Sequence, residues 1–225
     1  FENCYAAGTV TGANDVGGFA GKLSLADFTN CYFSGRVNAK EGYPNIGGFA
    51  GNISKTTSVA FTLDNCHATC TVTAPGCSNV GGFAGNVYST SSGILTIQNC
   101  YAVGNAAVFV TGATDVGGFA GRTEGGSTPV QITKCYTMGN VTGAGSDSNT
   151  GGFVGNIEKT TEITLCYSSG TINGNADTGG FIGECKTGTI TNCYCTGNVT
   201  GTDDVGGFIG QCNSGVITTS YTACE

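Results

Sequence analysis

Charge is scarce in this chain. Only 10% of its 225 residues are Asp, Glu, Lys or Arg, far below the roughly 25% usual for soluble domains. With 8 basic against 15 acidic residues the net charge is −7. That argues against a nucleic-acid partner, because neutralising phosphates needs clustered Lys and Arg. It also argues against docking on anionic lipid. Tryptophan is absent, Met occurs once and Pro three times. The single histidine, His67, rules out an H-E-x-x-H zinc motif. No apolar run approaches the roughly 18 residues of a membrane span, and no segment sustains a 3.6-residue period, so essentially no helix is expected. No signal peptide is recognisable and the chain opens on Phe1, so it reads as a piece of something longer.

What the chain has instead is glycine, 40 residues of it, in a fixed pattern. Seven heptads repeat one theme: DVGGFAG at 15–21, NIGGFAG at 45–51, NVGGFAG at 79–85, DVGGFAG at 115–121, NTGGFVG at 149–155, DTGGFIG at 177–183 and DVGGFIG at 204–210. A second motif, NCY, alternates with them. Its cysteines are Cys4, Cys31, Cys66, Cys100, Cys135, Cys166 and Cys193. The next position holds Tyr5, Tyr32, His67, Tyr101, Tyr136, Tyr167 and Tyr194, and Thr219-Ser220-Tyr221 is an eighth, degenerate copy. Successive cysteines are 27, 35, 34, 35, 31 and 27 residues apart.

A period in this range denotes a solenoid, a propeller or an array. A propeller blade needs about 40–50 residues, more than the shortest repeat offers, and the leucine-rich pattern is missing. Between the motifs lie short β-prone pieces bounded by Gly, such as GTVTG and GNVTG. The expected fold is therefore all-β: one parallel β-helix over residues 1–225, with seven to eight coils of 27–35 residues. Each coil should hold three short strands and three corners, wound in the right-handed sense usual for parallel crossovers. At about 4.8 Å per coil the rod would be roughly 35 Å long.

Equivalent positions of such coils stack. Phe19, Phe49, Phe83, Phe119, Phe153, Phe181 and Phe208 form one predicted core column, each ring worth about 1.5–3 kcal/mol on burial. The NCY cysteines form a second column of small buried thiols, and the tyrosines a third. His67 then reads as a substituted stacking residue rather than a general base. The repeat is a packing device.

The runs NCYAAGTVTGANDVGGFAG (3–21) and NCYCTGNVTGTDDVGGFIG (192–210) resemble the GLUG-motif repeats of bacterial cell-surface proteins. The likeness extends over essentially the whole chain, with one uniform departure: Phe follows the Gly pair where the family usually has Leu. The resemblance implies an extracellular or cell-surface module, stalk-like or adhesive. Relatives of that kind include adhesin-like proteins and non-catalytic regions of IgA-specific metalloproteases. It transfers no catalytic residue, so the chain is expected not to be an enzyme.

Several positions remain candidates for chemistry. An Asx column precedes the Gly pairs, and its aspartates, Asp15, Asp115, Asp177 and Asp204, are candidate calcium ligands. The competing reading is a stacked turn in which Asn and Asp serve equally; no other cofactor is indicated. Cys185 and Cys212 share a register one coil apart, and Cys70 and Cys77 could close a small loop, so both pairs are candidate disulfides. A Thr/Asn column (Thr11, Asn38, Thr73, Thr111, Thr142, Asn173 and Thr200) is interrupted too often to read as an ice-binding array. Coils 2–4 are enlarged, and insertions in solenoids often map to a binding face. Tyr43, Phe61, Tyr88 and Phe109, with Lys40, Lys55 and Arg122, are therefore candidate contacts for a host glycan or host protein. The end sequences carry no capping helix, so further repeats or identical subunits are the expected end-to-end partners. Two alternatives to a structural module follow: a filament subunit stacking head to tail, and a carbohydrate-active β-helix enzyme of the polysaccharide-lyase kind. The second needs clustered Asp, Lys and Arg, which the sparse charge does not favour.

Overall fold

The computed structural model describes residues 1–104 and 109–223. It is a parallel β-solenoid of about seven turns. The described residues contain no helix, hence none long and apolar enough to cross a membrane. From Cys66 the chain runs through His67–Thr73, Ser78–Gly81, Ala84–Ser89 and Leu95–Gln98, then reaches Cys100 and begins again. Each turn therefore contributes to four sheets, not to the three the coil length suggests. We number them by their place after the NCY motif: sheet 1 has 12 strands, and sheets 2, 3 and 4 have 7 each. The extra side arises because the Gly-Phe step breaks what reads as one strand into two.

The corners explain the motifs. The residue before each column cysteine adopts φ between 50° and 57°, from Asn3 through Asn30, Asn65, Asn99, Lys134, Leu165 and Asn192 to Thr219. Asn tolerates this left-handed conformation better than other side chains. A second left-handed corner falls on Asp15, Asn45, Asn79, Asp115 and Asp204, with φ from 45° to 65°. The glycine pair is needed for close approach. A Cβ on Gly117 would lie 2.0 Å from the Ala120 carbonyl oxygen, and one on Gly82 would lie 2.3 Å from the Phe109 ring.

Inside, the phenylalanine column stacks with centroids 4.8–5.1 Å apart, the spacing of adjacent strands. Ile53, Val87, Leu63, Leu95, Ile132, Ile163 and Val72 complete the core from the other walls. The column thiols do more than fill space. Cys100 donates to the carbonyl of Gln98 (3.1 Å), Cys135 to Thr133 (3.3 Å), Cys166 to Thr164 (3.3 Å) and Cys193 to Thr191 (3.3 Å). Each thiol satisfies a carbonyl at the corner, and Ser220 does the same to Thr218 at 3.0 Å, which accounts for the degenerate eighth copy.

Candidate functional site

The seven residues expected to form a ligand patch are not brought together. Phe109 is fully buried over Gly82 and Gly139. Phe61 is 2% exposed and pairs with Leu95, so it is the core residue of sheet 4 in its turn. Lys55 is also buried, its ammonium donating to Thr57 O (2.6 Å) and Ser91 Oγ (2.9 Å); burial holds its pKa below the usual lysine value. These three are corrected: they seal the enlarged turns from within. Tyr43 and Lys40 are exposed on the corner between sheets 1 and 2, whereas Tyr88 and Arg122 lie on sheet 3. Inserted segments are neighbours in sequence but leave the solenoid at different corners.

The aspartates are likewise dispersed. Asp15 Oδ1 accepts from Asn45 Nδ2 (2.8 Å) and Asn52 Nδ2 (3.4 Å), and Asp115 Oδ1 from Asn149 (2.8 Å) and Asn156 (3.3 Å). These are amide ladders along a corner, the stacked-turn arrangement. Asp177 and Asp204 sit on adjacent turns, and burial followed by the Asp204 charge pushes the Asp177 carboxyl above its usual range. No cluster of three or more His, Cys, Asp or Glu suited to a metal occurs among the described residues. Beside this corner an ion-pair ladder climbs sheet 3: Lys159 to Glu124 at 2.5 Å, Lys186 to Glu158 at 2.7 Å, and Arg122 to both Glu124 and Glu158 at 3.5 Å.

The two candidate disulfides are corrected as well: Cys70, Cys77, Cys185 and Cys212 form no disulfide. Cys70 reaches toward Gly48 while Cys77 donates to Lys40 O at 3.1 Å, so the two point apart. Cys185 and Cys212 are in parallel register, which sets their side chains side by side rather than facing. Burial pushes the Cys70 and Cys185 thiols up to about 12, with Cys212 adding to the latter. Cys224 lies outside the described residues.

The most distinctive surface is the outside of sheet 1. Burial alternates along its strands; in His67–Thr73 the residues Ala68, Cys70 and Val72 face inward. Outside, Tyr5, Tyr32, His67, Tyr101, Tyr136, Tyr167, Tyr194 and Tyr221 form one ladder, with centroids 4.4–5.4 Å apart and planes within 12° of parallel. Their faces cover one another and their edges meet solvent. Burial holds the His67 imidazole below its usual 6.5. In the first three turns the strands of this sheet are continuous: Tyr5–Gly12, Tyr32–Ala39 and His67–Thr73. Later each breaks at a glycine, as in Tyr136–Met138 followed by Val141–Gly143, or Tyr194–Thr196 followed by Val199–Thr200.

Where the strands break, the face creases. A groove of about 490 Å³ beside the last described residue, Ala223, is lined by Gly170, Gly197, Thr171, Thr196, Asn198 and Asn140, whose Oδ1 accepts from Thr171 N at 2.8 Å. A second groove of about 260 Å³, with Met138 and Ser169 on its wall, shares Asn140 and Gly170 with it. Sequence reasoning did not find this feature. The glycine three residues after each tyrosine does not mark it: φ is positive at Gly139 (139°), Gly170 (135°) and Gly197 (113°), but also at Gly8 (128°) and Gly35 (149°), where the strands run on unbroken.

Residues 12–38 match the family model described as the GLUG motif. The chain carries a GLUG motif. The matched window runs from the end of Tyr5–Gly12, round one turn, to Asn38 in the next strand of the same sheet. A GLUG unit is thus one circuit of the solenoid, holding the Asx corner, the Gly pair, the core Phe and the NCY corner. No curated protein and no solved structure matches the chain.

Proposed function

We propose that this chain is a non-enzymatic repeat module of a bacterial surface protein, located outside the cell, where it forms a rigid stalk and presents a binding face. The observation that carries this reading is the use made of the repeat. Its recurring residues serve as corners, core and ladder, which leaves function to the outward faces. Rigidity follows from stacking, since each turn is held to its neighbours by parallel pairing on four sides. The test is display of the chain on a non-adherent bacterium, with retention measured under flow on glycoprotein- and polysaccharide-coated surfaces. Retention above that of the undisplayed strain is expected. Release of cleaved or unsaturated sugar from any of those polysaccharides would overturn the non-enzymatic reading.

A second reading draws on the outermost turns. Phe1 and Tyr5 on one face, and Val216, Ile217 and Tyr221 on the other, are exposed apolar side chains. Further turns of the same kind, or a second copy of the chain, would cover either face. Negative-stain electron microscopy across a concentration series separates the two readings: long uniform fibres support a filament subunit, isolated short rods the module.

A further inference from the structure

We propose that the tyrosine ladder on sheet 1 is a site of oxidative cross-linking, where neighbouring phenols couple through a carbon–carbon bond and weld one turn to the next. This goes beyond the module reading and does not depend on it, because the rings stack whatever the chain binds. Tyr101, Tyr136, Tyr167 and Tyr194 follow one another at 4.9, 5.0 and 5.0 Å between centroids, with planes 9°, 2° and 6° from parallel. Parallel pairing holds them in register, Tyr101 opposite Tyr136, Tyr136 opposite Tyr167 and Tyr167 opposite Tyr194. Each of these four residues is half-buried, so a ring edge is open to a reagent in solution. Burial, and then the adjacent phenols, hold Tyr101 and Tyr167 above the usual tyrosine pKa. Their hydroxyls stay protonated near neutral pH, and an oxidant must take the proton together with the electron.

The co-reactant is hydrogen peroxide, used through a haem peroxidase. The peroxidase takes one hydrogen atom from the hydroxyl of each of two neighbouring tyrosines, and the peroxide is reduced to two waters. In each phenoxyl radical the unpaired electron is shared with the Cε carbons beside the oxygen. One Cε of each ring forms the new bond, the hydrogen it carried passes through solvent to the ring's own oxygen, and two linked phenols result. Coupling needs the rings edge to edge. The χ2 torsion of tyrosine is soft, and a ring turned out of the stack meets its neighbour in the T-shaped contact that aromatic pairs accept at this separation. Two partners already held in contact couple in preference to rings on separate molecules. The thiols compete little: among the described cysteines all but Cys4 and Cys212 are buried. Two further tyrosines act as internal controls, since Tyr43 lies on the corner between sheets 1 and 2 and Tyr88 on sheet 3, both outside the ladder. His67 is a gap in the ladder, because it brings a ring but no phenol.

The experiment treats the full chain, carrying Cys4→Ser and Cys212→Ser to remove the accessible thiols, with a haem peroxidase and hydrogen peroxide at low protein concentration. Linked tyrosines are then mapped by mass spectrometry of the digested monomer. Links between Tyr101 and Tyr136, Tyr136 and Tyr167, and Tyr167 and Tyr194 are expected, each marked by the loss of two hydrogens and by dityrosine fluorescence. No link should reach Tyr43 or Tyr88, and none should join Tyr32 directly to Tyr101 across His67. Tyr136→Phe combined with Tyr194→Phe keeps every ring in the stack but removes alternate phenols between Tyr101 and Tyr221. The links in that stretch should vanish and the fluorescence fall several-fold, while circular dichroism and melting confirm that the variant is folded. Three results overturn the proposal: no ladder link in the folded chain, links that join Tyr43 or Tyr88 as often as ladder neighbours, or dityrosine that forms chiefly between molecules. Fluorescence unchanged by the double substitution also overturns it. None of these outcomes bears on surface retention, so the module reading stands or falls separately.

Discussion

At the residue scale, the stability of the solenoid rests on positions that repeat. Phe119 is fully buried between Phe83 and Phe153, each 4.8 Å away. Phe119→Ala should therefore destabilise the chain by about 3–5 kcal/mol, measured by denaturant unfolding. Leu165 occupies a left-handed corner at φ 57° with its side chain 49% exposed. A residue other than Gly, Asn or Asp pays roughly 1–2 kcal/mol there, whereas the short amide of Asn hydrogen-bonds locally and is tolerated, so Leu165→Asn should stabilise the chain by about 1 kcal/mol. His67 interrupts the tyrosine ladder, stacked at 4.9 Å on Tyr32 and 4.4 Å on Tyr101. Burial lowers its folded pKa below the usual 6.5. The neutral ring's contribution is then complete above the unfolded value and is lost as pH falls through that value toward the folded one. His67→Tyr should remove that loss, so its gain in Tm will be larger at mildly acid pH than at pH 8. An equal gain at both would show that His67 titrates alike in the folded and unfolded chain.

At the element scale, the NCY corner was only half legible. Its Asn announces a left-handed turn and its Tyr an outward ladder, but the cysteine reads from sequence as a small hydrophobe. The thiol's bond to the carbonyl two residues earlier depends on corner geometry that no spacing reveals. The same burial predicts reactivity. Among the described cysteines only Cys212 is exposed and Cys4 half-exposed, so a thiol reagent should modify these two in the native chain and the others only on unfolding. Rapid native modification of Cys100 or Cys135 would mean the core column opens. Sheet 1 gives the complementary case. Gly139, Gly170 and Gly197 are plain in the sequence as part of the repeat, yet the grooves they line exist only because the strands break there while staying in register.

At the scale of the whole molecule, each turn contacts only its neighbours, so stability should scale with the number of turns. Residues 166–192 make up one circuit of 27 residues between column cysteines. Their deletion joins Leu165 to Cys193 in register. The shortened chain should fold cooperatively, with a denaturant m value lower by about an eighth. Deleting half that length would misalign every sheet beyond the cut, and a chain that folded equally well after it would contradict the parallel register. Net charge and ion pairs matter less here: the sheet 3 ladder is partly exposed, and exposed pairs contribute little.

The amino-acid sequence alone determined the architecture, because a repeat that puts Asn, Cys, Gly and Phe at recurring offsets can bury its apolar positions only by stacking turn on turn. It also determined which side chains stack, since register in a solenoid is inherited from the period. Only the tertiary structure decided the number of sides, the fate of the extra aromatics and the position of the groove. Those depend on where the chain leaves each corner. Phe61 and Lys55 belong to strands of sheets 4 and 3, and Phe109 directly precedes a strand of sheet 1; their stretches read as surface loops, but pairing with the neighbouring turns sets all three side chains inward.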